Sequence, residues 1–120
     1  MRAFAERRQM IRIAVRGKVT VATSTPGPSL QLVDVSVGGF AVRSAAPLPI
    51  GIATSYRFAT ADRKWSAFLD ARVIYCKVVS LGPSTPEYLT GLAFVNVDAS
   101  YAHRELMALM DHAINALSAS

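Results

Sequence analysis

Hydrophobic and polar residues alternate with a period of two through most of the chain. In the segment that begins at residue 12, one set of alternate positions holds Ile13, Val15, Gly17, Val19 and Val21, and the other holds Arg12, Ala14, Arg16, Lys18 and Thr20. Successive side chains of a β-strand point to opposite faces, so this alternation predicts a strand with one buried face.

Glycine and proline residues divide the alternating pattern into short strands. Turn-forming residues at 24–29 end the first strand, Gly38 and Gly39 interrupt the next, and Pro47 and Pro49 turn the chain again. The predicted strands cover residues 12–21, 30–37, 40–43, 52–61, 65–79 and 88–96. Six strands in succession with no helical segment between them are typical of an antiparallel barrel or sandwich.

The apolar period becomes helical near the C-terminus, after Asp98 or Ser100, either of which can cap a helix. The apolar positions on the predicted helix, which covers residues 99–118, are Leu106, Met110, Ile114 and Leu117. This stripe either covers one mouth of the β structure or packs against a second copy, so we expect a monomer or a homodimer. We expect one domain over residues 1–120, with the strands in 12–97.

The distribution of charge adds a functional signal to this outline. The chain has 120 residues and a formal net charge of +5, from 13 Lys and Arg against 8 Asp and Glu. Residues 1–18 hold six basic groups and one acidic group, 6 − 1 = +5, and the other 102 residues hold 7 of each. All of the excess charge therefore lies at one end, which favours a local site for an anion over a generally basic surface.

Enzymatic sites lack the residues they need. His103 and His112 are nine residues apart on the predicted helix, so they face opposite sides of it and cannot share one metal ion from there. No C-x-x-C, H-E-x-x-H, Walker A or nucleophile-elbow motif occurs, and the carboxylates are dispersed. We therefore expect no catalytic activity, no metal and no cofactor.

Membrane and secretory segments are not expected either. The longest uncharged run, residues 19–33, has 15 residues and contains two prolines and a glycine, too few apolar residues to cross a bilayer. The first ten residues, MRAFAERRQM, lack the apolar region of a secretory signal. The sequence thus predicts a cytoplasmic protein that does not insert into membranes.

Arginines at the basic end suit an anionic nucleotide. Arg7, Arg8 and Arg12 lie within six residues, and a guanidinium offers a planar fork of donors that fits phosphate oxygens or the O6 and N7 atoms of guanine. A solvated helical turn is the alternative interpretation of this segment, because residues four apart share a helix face.

A second segment, DVSVGG at 34–39, suits the other edge of a guanine. Asp34 and Ser36 share one face of their predicted strand, where a carboxylate can accept hydrogen bonds from guanine N1–H and N2–H₂ and a hydroxyl can complete the edge. A glycine such as Gly39 lets the backbone approach the ring. A strand that ends in a Gly-Gly turn, with Asp34 and Ser36 facing water, is the alternative.

Together the two segments resemble the signature of PilZ domains, bacterial receptors for cyclic di-GMP. RRQMIR at 7–12 contains the R-x-x-x-R element at Arg8 and Arg12, and DVSVGG contains the D-x-S-x-x-G element. YLTGLAF at 88–94 is similar to the usual last strand of the family. The resemblance covers nearly the whole chain and implies a mainly β fold, a six-stranded antiparallel β-barrel with a C-terminal α-helix.

The resemblance also implies roles for individual residues. Arg8 and Arg12 would contact phosphates and guanine Hoogsteen edges, and Asp34, Ser36 and Gly39 would line a guanine. Arg7, just ahead of the signature, would favour a stacked pair of dinucleotides over a single one. Few apolar residues anchor the arginine segment 1–11, so we expect it to be mobile without ligand and to wrap over the bound nucleotide. The implied function is a non-enzymatic sensor whose changed surface signals to an unidentified partner protein.

Two other functions remain open from the sequence. A general single-stranded nucleic-acid binder would use a basic segment too, but it also needs an aromatic platform and charge along a groove. This chain has one Trp and a neutral remainder, so we expect no DNA or RNA partner. A PilZ-type protein-interaction module that does not bind nucleotide is the other alternative, although loss of the arginines would be its sequence mark.

Overall fold

The computed structural model of the protein describes residues 11–81 and 85–118, without the side chains of Leu81, Leu117 and Ser118. Within these ranges, seven strands precede a helix. They are β1 (Ile13–Ala14), β2 (Val19–Thr23), β3 (Gln31–Val35), β4 (Gly39–Ser44), β5 (Ala53–Thr60), β6 (Ser66–Leu81), β7 (Pro86–Phe94) and α1 (Ser100–Ser118). Apart from Ile11, the arginine segment 1–11 lies outside the described residues, so its expected mobility stays a prediction.

All strand pairs are antiparallel and belong to one sheet with the order β1-β3-β4-β7-β6-β5-β2. The sheet curls into a half-barrel around the core. The prediction of a mainly β, antiparallel fold closed by a C-terminal helix is therefore confirmed.

The structure has seven strands where the sequence predicts six, because the first predicted strand is divided. Arg16 and Gly17 both have positive φ angles, 50° and 79°, and Lys18 N donates a hydrogen bond to Val15 O at 2.9 Å. This left-handed turn redirects the chain, so β1 pairs with β3 while β2 pairs with β5 on the other end of the sheet. Ile13, Val15 and Val19 are all buried as predicted, since the turn preserves the side of the chain that faces the core.

Aromatic rings fill the centre of the core. The rings of Phe40 and Phe58 meet edge to face with centroids 5.0 Å apart, and Phe94 lies 5.3 Å from Phe40. The inward positions of β4, β7 and β6 at this level are Phe40, Leu92 and Val73, which are paired across the strands and buried. Residues next to them in each strand therefore point to the outer face of the sheet.

Helix α1 packs on the same core, against β6, β1 and β2. Its buried residues are Leu106, Leu109, Met110 and Ala113. The predicted stripe is partly wrong, because Ile114 is 49 % exposed, and the side chain of Leu117 lies outside the described residues. Leu106 and Met110 are buried as predicted, and Leu109 and Ala113 complete the buried face in place of Ile114. Within the described ranges, no helix is long and apolar enough to cross a membrane.

Candidate functional site

Small residues lie side by side on the outer face of β4 and β7. Cross-strand pairing aligns Ala41 with Gly91, and the neighbouring row aligns Gly39 with Ala93. These four residues, Gly39, Ala41, Gly91 and Ala93, are here called the floor. The same pairing extends to either side, because Asp34 of β3 pairs with Ala41 and Tyr75 of β6 pairs with Gly91. The floor is thus bordered by a carboxylate on one side and an aromatic ring on the other.

A cleft of about 290 Å³ opens above three residues of the floor, Gly39, Gly91 and Ala93. The residues that line it include Arg12, Ser36, Gly39, Tyr75, Gly91 and Ala93. Three of the residues singled out by the sequence therefore line one cleft although they are up to 27 positions apart.

Gly39 is required by the sheet itself. A Cβ atom at this position would overlap the carbonyl oxygen of Leu92 and crowd Ala93 Cα, both backbone atoms of the paired strand β7. The close approach of β4 and β7 thus depends on the missing side chain. Sequence reasoning assigned this glycine to an approach between backbone and ligand, whereas the structure shows an approach between two strands.

The wall opposite Asp34 is formed at a β-bulge in β6. The pairing with β7 shifts register between Val73 and Tyr75, which leaves Ile74 as the extra residue. Both Ile74 and Tyr75 are exposed and line the cleft, as expected of a bulge that redirects side chains. The Tyr75 ring lies so close to Gly91 that a Cβ atom there would overlap it. Sequence reasoning missed Tyr75, and the run of three apolar residues that interrupts the alternation at 73–75 is the signal that could have found it.

Arg12 and Asp34 form an ion pair at the other border. Arg12 Nη1 donates a hydrogen bond to Asp34 Oδ1 at 2.9 Å. The pairing of Ala14 with Asp34 brings the chain before β1 to this point, so the contact joins residues 22 positions apart. The Arg12 side chain is 56 % exposed and that of Asp34 is 23 % exposed, so water and ligands can reach both groups.

Ser36 is buried in the turn that joins β3 and β4. Its Oγ accepts a hydrogen bond from Gly38 N at 3.2 Å and donates one to Gly39 O at 3.4 Å, and its backbone N–H donates to Gly39 O at 2.8 Å. The turn is attached to β7, because Phe94 N donates to Gly38 O at 3.0 Å. Ser36 therefore both shapes the turn and lines the cleft, and it does not face open water.

Comparison with known proteins assigns the chain to a family. The model of the PilZ domain family matches residues 6–111. The chain belongs to the PilZ family. Members of this family typically bind cyclic di-GMP and are generally receptor modules without catalytic activity.

One solved structure similar to this PilZ domain is described as the PilZ domain with c-di-GMP of YcgR from Escherichia coli. The two chains share 20 % sequence identity, and the alignment has a TM-score of 0.61 and covers 86 % of this chain and 88 % of that one. At this identity the likeness concerns the fold. Among curated proteins, no significant match was found.

The PilZ signature of this chain is only partly within the described residues. Arg12, Ser36 and Gly39 line one cleft, and Asp34 lies beside it, joined to Arg12 by the ion pair. Arg7 and Arg8 lie outside the described residues, so their predicted roles stay predictions. Lys77 lies next to the wall opposite Asp34, with its Nζ 5.9 Å from the centroid of the Tyr75 ring.

Proposed function

We propose that this PilZ domain is a receptor for cyclic di-GMP and that it binds a guanine of the dinucleotide, with the adjacent phosphate, on the floor. The observation that supports this most directly is the exposed Arg12–Asp34 pair at the border of a floor of glycine and alanine. It puts a cation for phosphate and a carboxylate for guanine N–H groups beside a surface that a flat ring can approach.

The dimensions of the floor suit a purine. Neighbouring strands are about 4.8 Å apart, so the backbones of Asp34 and Tyr75, three strand spacings apart in one row, are separated by about 14 Å. A guanine lying between them would present its N1–H and N2–H₂ edge to Asp34 and its opposite end towards the Tyr75 ring. Of the two residues between, Ala41 is buried and Gly91 lies beneath the Tyr75 ring, so the guanine would pack against this ring and not directly on Gly91.

Ligand binding exchanges partners at the Arg12–Asp34 pair. Without ligand, each group is the charged partner of the other. An exposed ion pair contributes only about 0 to 1 kcal/mol, whereas a hydrogen bond to a charged group contributes about 1.5 to 3 kcal/mol. Transfer of Arg12 to a phosphate and of Asp34 to guanine N–H groups is therefore favourable overall.

Ser36 has capacity left for the ligand. A hydroxyl group offers one donor and two acceptor sites, and the turn uses the donor and one acceptor. The remaining lone pair at the cleft can accept a hydrogen bond from a guanine N–H or a ribose hydroxyl.

The described cleft does not enclose a whole dinucleotide. Its volume of about 290 Å³ lies just below the range of about 300 to 1,000 Å³ that is typical of small-molecule sites. Arg8 precedes Arg12 by four residues, a reach of about 13 Å in extended chain, so it can supply contacts on the open side. Arg7 would add a cation for a stacked second dinucleotide. Closure of this segment over the ligand would change the surface that a partner protein meets.

Calorimetric titration of the full chain with cyclic di-GMP tests the proposal. We expect exothermic binding that weakens as salt is raised, with a stoichiometry that distinguishes one dinucleotide from a stacked pair. Linear diguanylate and GTP serve as comparison ligands, and mixed single-stranded oligonucleotides test the nucleic-acid alternative. No heat at tens of micromolar folded protein would exclude the receptor function and favour an interaction module that does not bind nucleotide.

A further inference from the structure

Strand β6 is twice as long as its neighbour β5, with 16 residues against eight. The ladder between them ends where Ala53 pairs with Arg72, and the preceding loop adds two hydrogen bonds at Val73. On its other side, β6 stays paired with β7 as far as Leu81. Among residues 11–81 and 85–118, no strand pairs with the β5 side of β6 beyond Val73. Residues 74–81 are here called the β6 edge.

An edge of this kind offers backbone N–H and C=O groups to another strand. Its side chains are also suited to pairing, since Ile74, Val78 and Val79 are β-branched and exposed. Ile50 and Ile52, 65 % and 53 % exposed, extend this apolar surface at the point where β5 and its preceding loop stop. Exposed apolar groups that cluster around free backbone donors and acceptors indicate a docking surface for an extended polypeptide.

Charge indicates which polypeptide fits. Lys77 is the only charged residue of the β6 edge, and no Asp or Glu occurs in residues 73–86. A second copy that paired through the same edge would bring another Lys77 and no carboxylate from residues 73–86. A segment that carries an acidic side chain opposite Lys77 would instead form an ion pair across the strands.

We propose that the β6 edge binds a short extended segment of a partner protein as an additional β-strand, with β-branched side chains and at least one carboxylate that faces Lys77. The bulges at Val73/Tyr75 and Val78/Ser80 limit regular pairing to the residues between them. The recognised segment is therefore short, and its affinity comes from a few backbone hydrogen bonds, contact with Val78 and one charge pair.

The docking surface shares residues with the cleft. Ile74 and Tyr75 belong to the β6 edge and also line the cleft above the floor. A nucleotide that packs against Tyr75 therefore alters the start of the β6 edge and couples ligand binding to partner binding. This coupling rests on the proposed receptor function, whereas the docking surface does not.

Amide hydrogen exchange of the full chain, without nucleotide, tests the docking surface. The probe is the blocked peptide Thr-Val-Glu-Val-Thr-Val, and its control is Thr-Val-Glu-Pro-Thr-Val, which lacks one donor and resists strand conformation. We expect the first peptide at millimolar concentration to slow exchange about tenfold at amides of the β6 edge that point away from β7, and the proline peptide to have no effect. Unchanged exchange at the β6 edge, or amides already protected there without peptide, would overturn the proposal.

Charge exchange tests the specific partner chemistry. Lys77→Glu should lower the affinity for the Glu peptide about threefold, which is the size of one exposed ion pair. It should raise the affinity for Thr-Val-Lys-Val-Thr-Val by a similar factor. Lys64→Glu, which changes an exposed lysine in the turn between β5 and β6, is the matched control and should leave both affinities unchanged. Equal effects of the two substitutions would show attraction by net charge and contradict strand docking at Lys77. Repeating the titration with cyclic di-GMP then tests the coupling, and identical peptide affinities with and without bound nucleotide would refute that part alone.

Discussion

Asp34 and Tyr75 lie at the two ends of one cross-strand row, with only Ala41 and Gly91 between them. Four strands contribute one residue each to this row, so the distance between the carboxylate and the aromatic ring is determined by the sheet and not by a loop. The row combines a hydrogen-bond acceptor, two residues with almost no side chain, and a ring. This arrangement complements a purine whose donors are all on one edge.

The Tyr75 ring is predicted to contribute to nucleotide affinity as an apolar wall. Tyr75→Ala should weaken cyclic di-GMP binding about tenfold, in the range of about 1 to 3 kcal/mol found when an aromatic residue that stacks on a base is replaced by alanine. Tyr75→Phe should bind nearly as the unchanged protein does, because the ring is kept. Tyr101→Ala, on the exposed side of α1, is the control. Calorimetry distinguishes these cases, and an unchanged affinity of Tyr75→Ala would rule out contact with the ring.

Arg12 should matter for ligand binding and hardly for stability. Arg12→Ala is expected to weaken cyclic di-GMP binding about tenfold or more, because a charge-assisted contact with phosphate is lost. Arg43→Ala is a close control, since Arg43 forms an exposed ion pair of the same kind, 2.7 Å from Glu87 Oε1, away from the cleft. Both substitutions should change the free energy of unfolding by less than about 1 kcal/mol. Equal loss of affinity in both variants would mean that Arg12 acts through general charge only.

Gly39 should be needed for folding before it is needed for binding. Gly39→Ala is expected to lower the free energy of unfolding by about 1 to 3 kcal/mol or more, because the new methyl group meets the Leu92 carbonyl in the paired strand. Gly27→Ala is milder, since the nearest atom there is Thr23 Oγ1, which belongs to a side chain. Thermal unfolding of the two variants compares these effects. A Gly39→Ala protein as stable as Gly27→Ala would contradict the close approach of β4 and β7.

The turn between β5 and β6 should make stability depend on pH in the acid range. Hydrogen bonds donated by the Lys64 backbone N–H and by Thr60 Oγ1 lower the pKa of Asp62 below its ordinary value of 3.8. A group with a lowered folded pKa stabilises the protein above its unfolded pKa, and this stabilisation is lost as pH falls through the folded value. Asp62→Asn should therefore lower Tm at pH 7, and its difference from the unchanged protein should shrink below about pH 4.

Asp111→Asn, on the exposed side of α1, is the control for this measurement and should change Tm little at either pH. If the difference in Tm between Asp62→Asn and the unchanged protein stayed constant from neutral to acid pH, the hydrogen bonds would stabilise the turn without any contribution from the charge of Asp62.

The strands could be predicted because one physical rule, alternation between core and solvent, acts at every residue. Ile13, Val15 and Val19 are buried in accordance with it. The turn at Arg16 could not be predicted from alternation, because a left-handed residue changes the direction of the chain without changing which neighbours are apolar. On α1 the apolar residues allowed more than one buried stripe. The small Ala113 takes the buried position on the side of the helix that faces the sheet, and the larger Ile114 is exposed.

Only the charged part of the candidate site could be predicted from the sequence. Charged groups such as Arg12 and Asp34 stand out in a list of residues, since their chemistry is specific whatever the fold. Tyr75 does not stand out, because its position depends on a bulge and on a glycine 16 residues later in another strand. Contacts of this kind arise from the pairing of strands, and single-chain patterns do not contain that pairing.

The packing of Gly39 on β7 also bears on how related sequences should be compared. A domain of this fold that no longer bound nucleotide would still need a residue without a side chain where β4 meets β7. Selection for folding alone would therefore retain the glycine of the D-x-S-x-x-G element. The glycine is therefore a poor marker of ligand binding among relatives. The arginines and the aspartate of the signature, which the sheet does not need, are the informative markers of ligand binding.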